Sequence, residues 1–340
     1  MGKKLFWISG TKAIAILAVV LVHCNGSMYT NEYIAMATSF SVTLFVLISG
    51  YSSGLSYLRN PNRALGERIS KIVPLIEDYV LATVIISLVY NRGFDITATI
   101  KHILCFDIEG SYYFVFFFLQ LKLVSDILCK SIDWIYSKSQ ALAWLSLLPV
   151  AVLSSLFVNY TRLLPLYGGG KNLLGGTYFF VYYLGILISR VDLTFLKNIY
   201  ICMTAVICWF AMSVLIFKHS LPIDRLLRPF WGNGDNPPSV AYIGFSLLTF
   251  ILCYIVFNYM EQVKWTIVKI IEKCVVLIGD NTYSVFLYHL TLLKLMSSLC
   301  YGNKLLMRAV VFPLLFIIPV LFSLAEQKAK REIRAMLESD

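Results

Sequence analysis

The chain has 340 residues, of which 59% are hydrophobic and only 14% charged, with a mean hydropathy of +0.75. A globular surface needs roughly a quarter charged residues, so this composition excludes a water-soluble protein and requires apolar side chains to face lipid. The net charge of +10 is scattered over short loops, which fits anionic lipid headgroups and argues against nucleic acid.

A hydrocarbon core of about 30 Å takes about 20 apolar residues per helix. Runs of that size predict ten spans, near 8–26, 34–57, 73–91, 111–129, 141–160, 176–190, 198–217, 239–259, 275–299 and 305–325. The expected fold is all-α: a polytopic transmembrane helical bundle of about ten spans, a single domain over 1–340 with a short charged cytoplasmic tail at 326–340. The first run follows Lys3 and Lys4 without a small-residue cleavage site and is read as a retained span. Lys and Arg fall about twice as often in the loops on the N-terminal side of the membrane as in the others, so both termini are expected in the cytoplasm. Eight cysteines without paired spacing indicate neither a disulfide framework nor a metal site. Gly168, Gly169, Gly170 and Lys171 are glycine-rich, but no strand precedes them and they make no P-loop. The longest outer loop, 221–238, carries Arg225, Arg228 and Trp231.

Ionisable side chains inside spans are costly and mark candidate sites. In span one, Lys12 lies a turn inside the inner boundary and His23 near the outer end. Eleven residues separate them by about 16 Å along a helix and by about 20° around it, so they share a face with Ala15 and Val19. The plain alternative is a snorkelling lysine and a histidine bonded among headgroups. Span two ends in a small-residue run, Ser49 to Gly54, which permits close helix packing. Beyond it Arg68 and Lys71 lie three apart on one helical face, an arrangement suited to a phosphate as well as to simple positive-inside topology. Glu77 and Asp78 follow Pro74 at a depth where carboxylates want partners, with Lys12, Arg68 and Lys71 as candidates. In span nine, Asp280, Ser284 and Tyr288 recur every fourth residue on one face. His289 points away from that face, as a core histidine or a catalytic one.

Several of these segments resemble acyltransferase family 3, the membrane O-acyltransferases. Gly10-Thr-Lys12 through Val-His23 resembles the family's opening signature of a basic residue, ten residues and a histidine, with lysine where arginine is commoner. Phe45-Val-Leu-Ile-Ser49-Gly50-Tyr51, Arg68-Ile-Ser-Lys71-Ile-Val-Pro74, the aromatic run from Tyr112 to Leu119 and Thr282-Tyr-Ser284-Val-Phe-Leu-Tyr288-His289 are similar to later family segments, in the same order.

The resemblance implies transfer of an acyl group, usually acetyl, from cytoplasmic acetyl-CoA to a hydroxyl of a surface polysaccharide or lipid-linked sugar at the plasma membrane. It implies His23 as catalytic base and Lys12, Arg68 and Lys71 as acyl-CoA ligands; Ser49, Glu77, Asp78, Ser284, Tyr288 and His289 are supporting candidates read from the residues themselves, and no metal is expected. Lysine at position 12 keeps the charge but lacks the guanidinium fork. The pantetheine arm, about 15–20 Å long, is of the order of the Lys12–His23 separation. The partners expected are acetyl-CoA, the sugar acceptor and membrane lipid; a homodimer is compatible with the sequence. The competing reading is a transporter or flippase for a polysaccharide intermediate, with Lys12, Glu77, Asp78 and His289 along its path. Transporters often show inverted repeats, and no internal repeat is visible here.

Overall fold

The structure, a computed structural model, describes residues 5–62, 65–91, 95–160, 172–217, 226–227, 230–231, 236–300 and 303–337, without the side chains of 65, 68, 91, 333–335 and 337. Residues 168–171 and Arg225 and Arg228 of the long outer loop therefore lie outside the described residues. Every regular element among the described residues is helical. Eight helices are long and apolar enough to cross a membrane.

The chain packs as two compact units, one from 1–38 with 257–340 and one from 39–256. The first contains α1 (Phe6–Cys24), α2 (Glu32–Ala37), and, late in the chain, a group of helices described below. The second contains α3 (Ser41–Arg59), α4 (Leu65–Asn91), α5 (Ile96–Cys105), α6 (Tyr113–Lys138), α7 (Gln140–Leu145), α8 (Leu147–Tyr160), α9 (Thr177–Ile188), α10 (Ile199–Phe217) and α11 (Val240–Gln262), whose last turn belongs to the first unit. The late helices of the first unit are α12 (Thr266–Asp280), α13 (Thr282–Leu299) and α14 (Phe312–Leu337).

In the second unit, glycines set the closest helix contact. A Cβ on Gly50 of α3 would strike the Tyr182 carbonyl oxygen, and one on Gly185 of α9 would strike that of Leu47. Lipid offers no hydrophobic drive for helix association, so backbones brought together by small residues gain the dispersion contacts instead. The packing expected of the run from Ser49 to Gly54 is thus present, with α9 as its partner.

Two predicted spans differ from expectation. Over 176–190 the helix is the 12-residue α9, shorter than a bilayer crossing. Over 275–299 the apolar run is not one helix. It breaks at Asn281, whose backbone (φ −111°, ψ 21°) leaves the helical region. The Asn281 side chain donates to Leu277 O at 2.8 Å, and Asn281 then precedes α13. Upstream, Lys269 pairs with Glu272 at 2.8 Å on α12, whose charged side fits a helix lying at the membrane surface.

In the first unit, α1 packs against α12 and α13, and α13 against α14. Gly279 allows α12 to touch the backbone of α1, since a Cβ there would collide with the Ser9 carbonyl oxygen. Before α14 the chain makes a π turn, Met307–Val311, with the Phe312 N–H donating to Met307 O. Pro313 follows and has no N–H with which to continue the ladder.

Candidate active site

α1 is unbroken from Phe6 to Cys24, so the predicted Lys12–His23 geometry holds: one face, about 16 Å apart. Both side chains are half-buried. Ala15 and Val19 between them are buried, so protein, not an open groove, covers the middle of that stripe.

His23 meets His289. Its Nδ1 lies 2.7 Å from His289 Nε2, and the rings lie edge to edge with centroids 4.9 Å apart and planes 26° from parallel. The proton positions follow from the neighbours. His289 Nδ1 is 2.8 Å from Phe286 O and 3.1 Å from Val285 O; a carbonyl only accepts, so Nδ1 carries the hydrogen. Neutral His289 therefore offers a lone pair at Nε2, and His23 must donate to it from Nδ1. The lone pair of neutral His23 then sits on Nε2. His289 is completely buried, so this tautomer is fixed by α13 and not by solvent. It is both a bonded core histidine and the partner of His23, two roles the sequence presented as alternatives. Among the described residues no third His, Cys, Asp or Glu completes a metal-binding group.

The break at Asn281 separates the predicted stripe of Asp280, Ser284 and Tyr288. Asp280 ends α12 and accepts from Ser9 Oγ of α1 at 3.0 Å. Ser284 Oγ donates to Pro319 O of α14 at 2.8 Å, and Tyr288 packs edge-on against Phe322. Ser284 and Tyr288 bind α13 to α14, whereas Asp280 holds α12 to α1.

In the second unit Ser49 is buried in α3. Lys71 is exposed on α4, its Nζ 3.4 Å from Ser56 Oγ. Arg68 is one turn earlier on the same helix, and its side chain lies outside the described atoms. Glu77 is exposed and Asp78 half-buried on α4 beyond Pro74. Near the start of α1 a cavity of about 620 Å³ is lined by Glu261, Glu272 and Asp280 with Lys273, a charge balance unfavourable to phosphates.

Two cations gained weight only with the structure. Lys122, deep in the apolar run of α6, donates to Ser53 Oγ at 2.9 Å and lies over the rings of Phe118 and Tyr182; Tyr182 donates to the same serine at 2.8 Å. Arg190 pairs with Asp133 at 2.7 Å and donates to Gly54 O at 3.3 Å, tying α9 to α6 and α3. The sequence signal for Lys122 was simply a lysine among apolar neighbours.

The profile of acyltransferase family 3, described as an acyltransferase domain, matches residues 5–325. The chain belongs to that family. The match covers the second compact unit and most of the first, so this family 3 protein is a membrane acyltransferase along nearly its whole length. No curated protein and no solved structure matches it.

Proposed function

We propose that this protein is a plasma-membrane O-acetyltransferase that moves acetyl from cytoplasmic acetyl-CoA to a sugar hydroxyl of a surface polysaccharide or glycolipid, with His23 as base. The observation that carries the reading is the hydrogen bond from His23 Nδ1 to the buried His289 Nε2. It leaves the basic lone pair of His23 on Nε2. An unperturbed imidazole titrates near pH 6.5, which suits proton transfer at physiological pH.

In the reaction, His23 Nε2 takes the proton of the acceptor O–H as its oxygen bonds to the thioester carbonyl carbon. The C–S bond then breaks, and the imidazolium returns the proton to the leaving thiolate, giving CoA–SH and the acetyl ester. His289 accepts from Nδ1–H throughout, holding the ring and easing the positive charge that forms, a part analogous to the orienting member of a catalytic triad. A relay through acetyl on His23 Nε2 uses the same atoms. Exchange of labelled CoA into acetyl-CoA without acceptor separates the two, since only the relay frees CoA–SH before the acceptor reacts and can run that step backwards.

Lys71, Arg68 and Lys12 are assigned to the donor. Lys71 presents an exposed ammonium on α4, able to meet a phosphate as a point charge. Both termini are assigned to the cytoplasm on the distribution of Lys and Arg. Family membership favours this reading over a transporter, and acetyl-CoA binding tests it. Purified full-length protein in nanodiscs should bind acetyl-CoA, with weaker binding after Lys71→Ala; no binding by the wild type would return the transporter reading.

A further inference from the structure

At the His23 end of α1 the chain turns sharply. Gly26 adopts φ +89°, its N–H donates to Tyr29 O at 2.7 Å, and the Met28 N–H returns to Cys24 O at 2.9 Å. This turn, the start of α2 and the π turn before α14 line an open cavity of about 510 Å³, within the range of small-molecule sites. Leu21, Met28, Ile34 and Phe312 give it an apolar wall.

Its polar lining is one-sided. Arg308 leaves the π turn with Nε donating to Met28 O at 2.9 Å. That bond fixes the guanidinium plane, and among the described residues no protein atom takes up Nη1 or Nη2. Asn31 uses Oδ1 to accept from the N–H groups of Tyr33 and Ile34 at the start of α2, which leaves its NH₂ as a donor. The Tyr29 hydroxyl donates to Leu21 O, and burial, with Cys24 beside it, pushes its pKa up to about 12. Thr30 lines the cavity too, and no Asp or Glu does among the described residues. A pocket with one anchored cation, an amide donor beside it and no carboxylate among its described lining residues favours a ligand that carries a negative charge.

We infer that this cavity receives the acceptor, and that the acceptor carries an anionic group, a sugar carboxylate or a sugar phosphate, held by the two free Nη groups of Arg308. The inference rests on the acyltransfer reading only for calling the ligand an acceptor. An anchored guanidinium with two parallel N–H directions matches a carboxylate or phosphate bidentately, and the apolar wall can take the C–H face of a sugar ring.

The test is direct binding to full-length protein in nanodiscs of phosphatidylcholine alone. The probes are a glucuronic acid oligosaccharide, the same oligosaccharide with its carboxylates reduced to alcohols, and glucose linked to a polyprenyl phosphate. At least one charged probe should bind tenfold or more tightly than the neutral one. Arg308→Gln should abolish that preference and Arg308→Lys should keep part of it. A carboxylate is indicated if the glucuronic acid probe wins, a lipid-linked phosphate if the polyprenyl probe does. Equal binding of charged and neutral probes by the wild type, or no binding of any, overturns the inference. So does complete displacement of the charged probe by phosphatidylglycerol, which would make the cavity a lipid headgroup site. Acetyl-CoA binding in the same preparation reports separately on the acyltransfer reading.

Discussion

At the scale of single residues, the site depends on which nitrogen of each histidine bears hydrogen. Replacing His289 by Leu removes the acceptor for His23 Nδ1–H, so the ring loses both its orientation and its tautomer. The expected result is a fall in kcat of roughly 10–100-fold, the usual scale for a group that orients another, with KM for acetyl-CoA unchanged. His289→Gln, whose amide oxygen can accept, should recover part of the rate; an equal loss in both variants would mean the position only fills space. Lys122 calls for the opposite expectation. A half-buried ammonium within an apolar run, held by one serine and two rings, gains about 0.5–2 kcal/mol from the rings against a desolvation penalty of several kcal/mol. Lys122→Met should therefore cost less than about 1 kcal/mol in thermal unfolding, and a larger loss would show the cation to be structural. Lys12 and His23 were legible because eleven residues of helix place them on one face. That His23 pairs with His289 was not, since no local pattern links residues 266 apart in the chain. Arg308 was hidden for another reason: a cation at the end of a span reads as topology until its carbonyl anchor is seen.

At the scale of elements, apolar runs located most spans, because hydrocarbon thickness leaves little choice of helix length. They failed where polar capping chemistry interrupts an apolar run, as at Asp280, Asn281 and Thr282. That triplet contains helix stop and start residues, but apolar neighbours on both sides masked the signal. The break matters to the site, because it frees α13 from the direction of α12 and lets His289 face α1. The glycine contact between α3 and α9 was half legible: the small residues of α3 were evident, and their partner Gly185 was not. Gly185→Val would drive a side chain into the Leu47 carbonyl. It should destabilise the full chain by at least about 1–3 kcal/mol, the typical cost of overpacking, seen as a lower midpoint of thermal unfolding in detergent. An unchanged midpoint would mean the two helices can part without cost.

At the scale of the whole molecule, membrane residence was legible from composition alone, whereas acyl transfer needed ordered motifs in addition. Two cations three apart, a basic residue eleven positions before a histidine, and a small-residue span end are each common in membrane proteins. Their order along one chain is far more specific, and the match over residues 5–325 bears it out at the level of the family. The cavity at the outer end of α1 was illegible because it forms where the 25–31 turn meets Arg308, which lies 280 residues from the Met28 carbonyl it grips. The account turns on His23 as the group that takes the acceptor proton. The most direct test is mass spectrometry of surface glycans from cells producing wild-type protein or His23→Ala at equal membrane levels. Loss of the base should lower sugar acetylation at least about 100-fold, the lower end for a general base. Acetylation undiminished in the alanine variant would contradict the account.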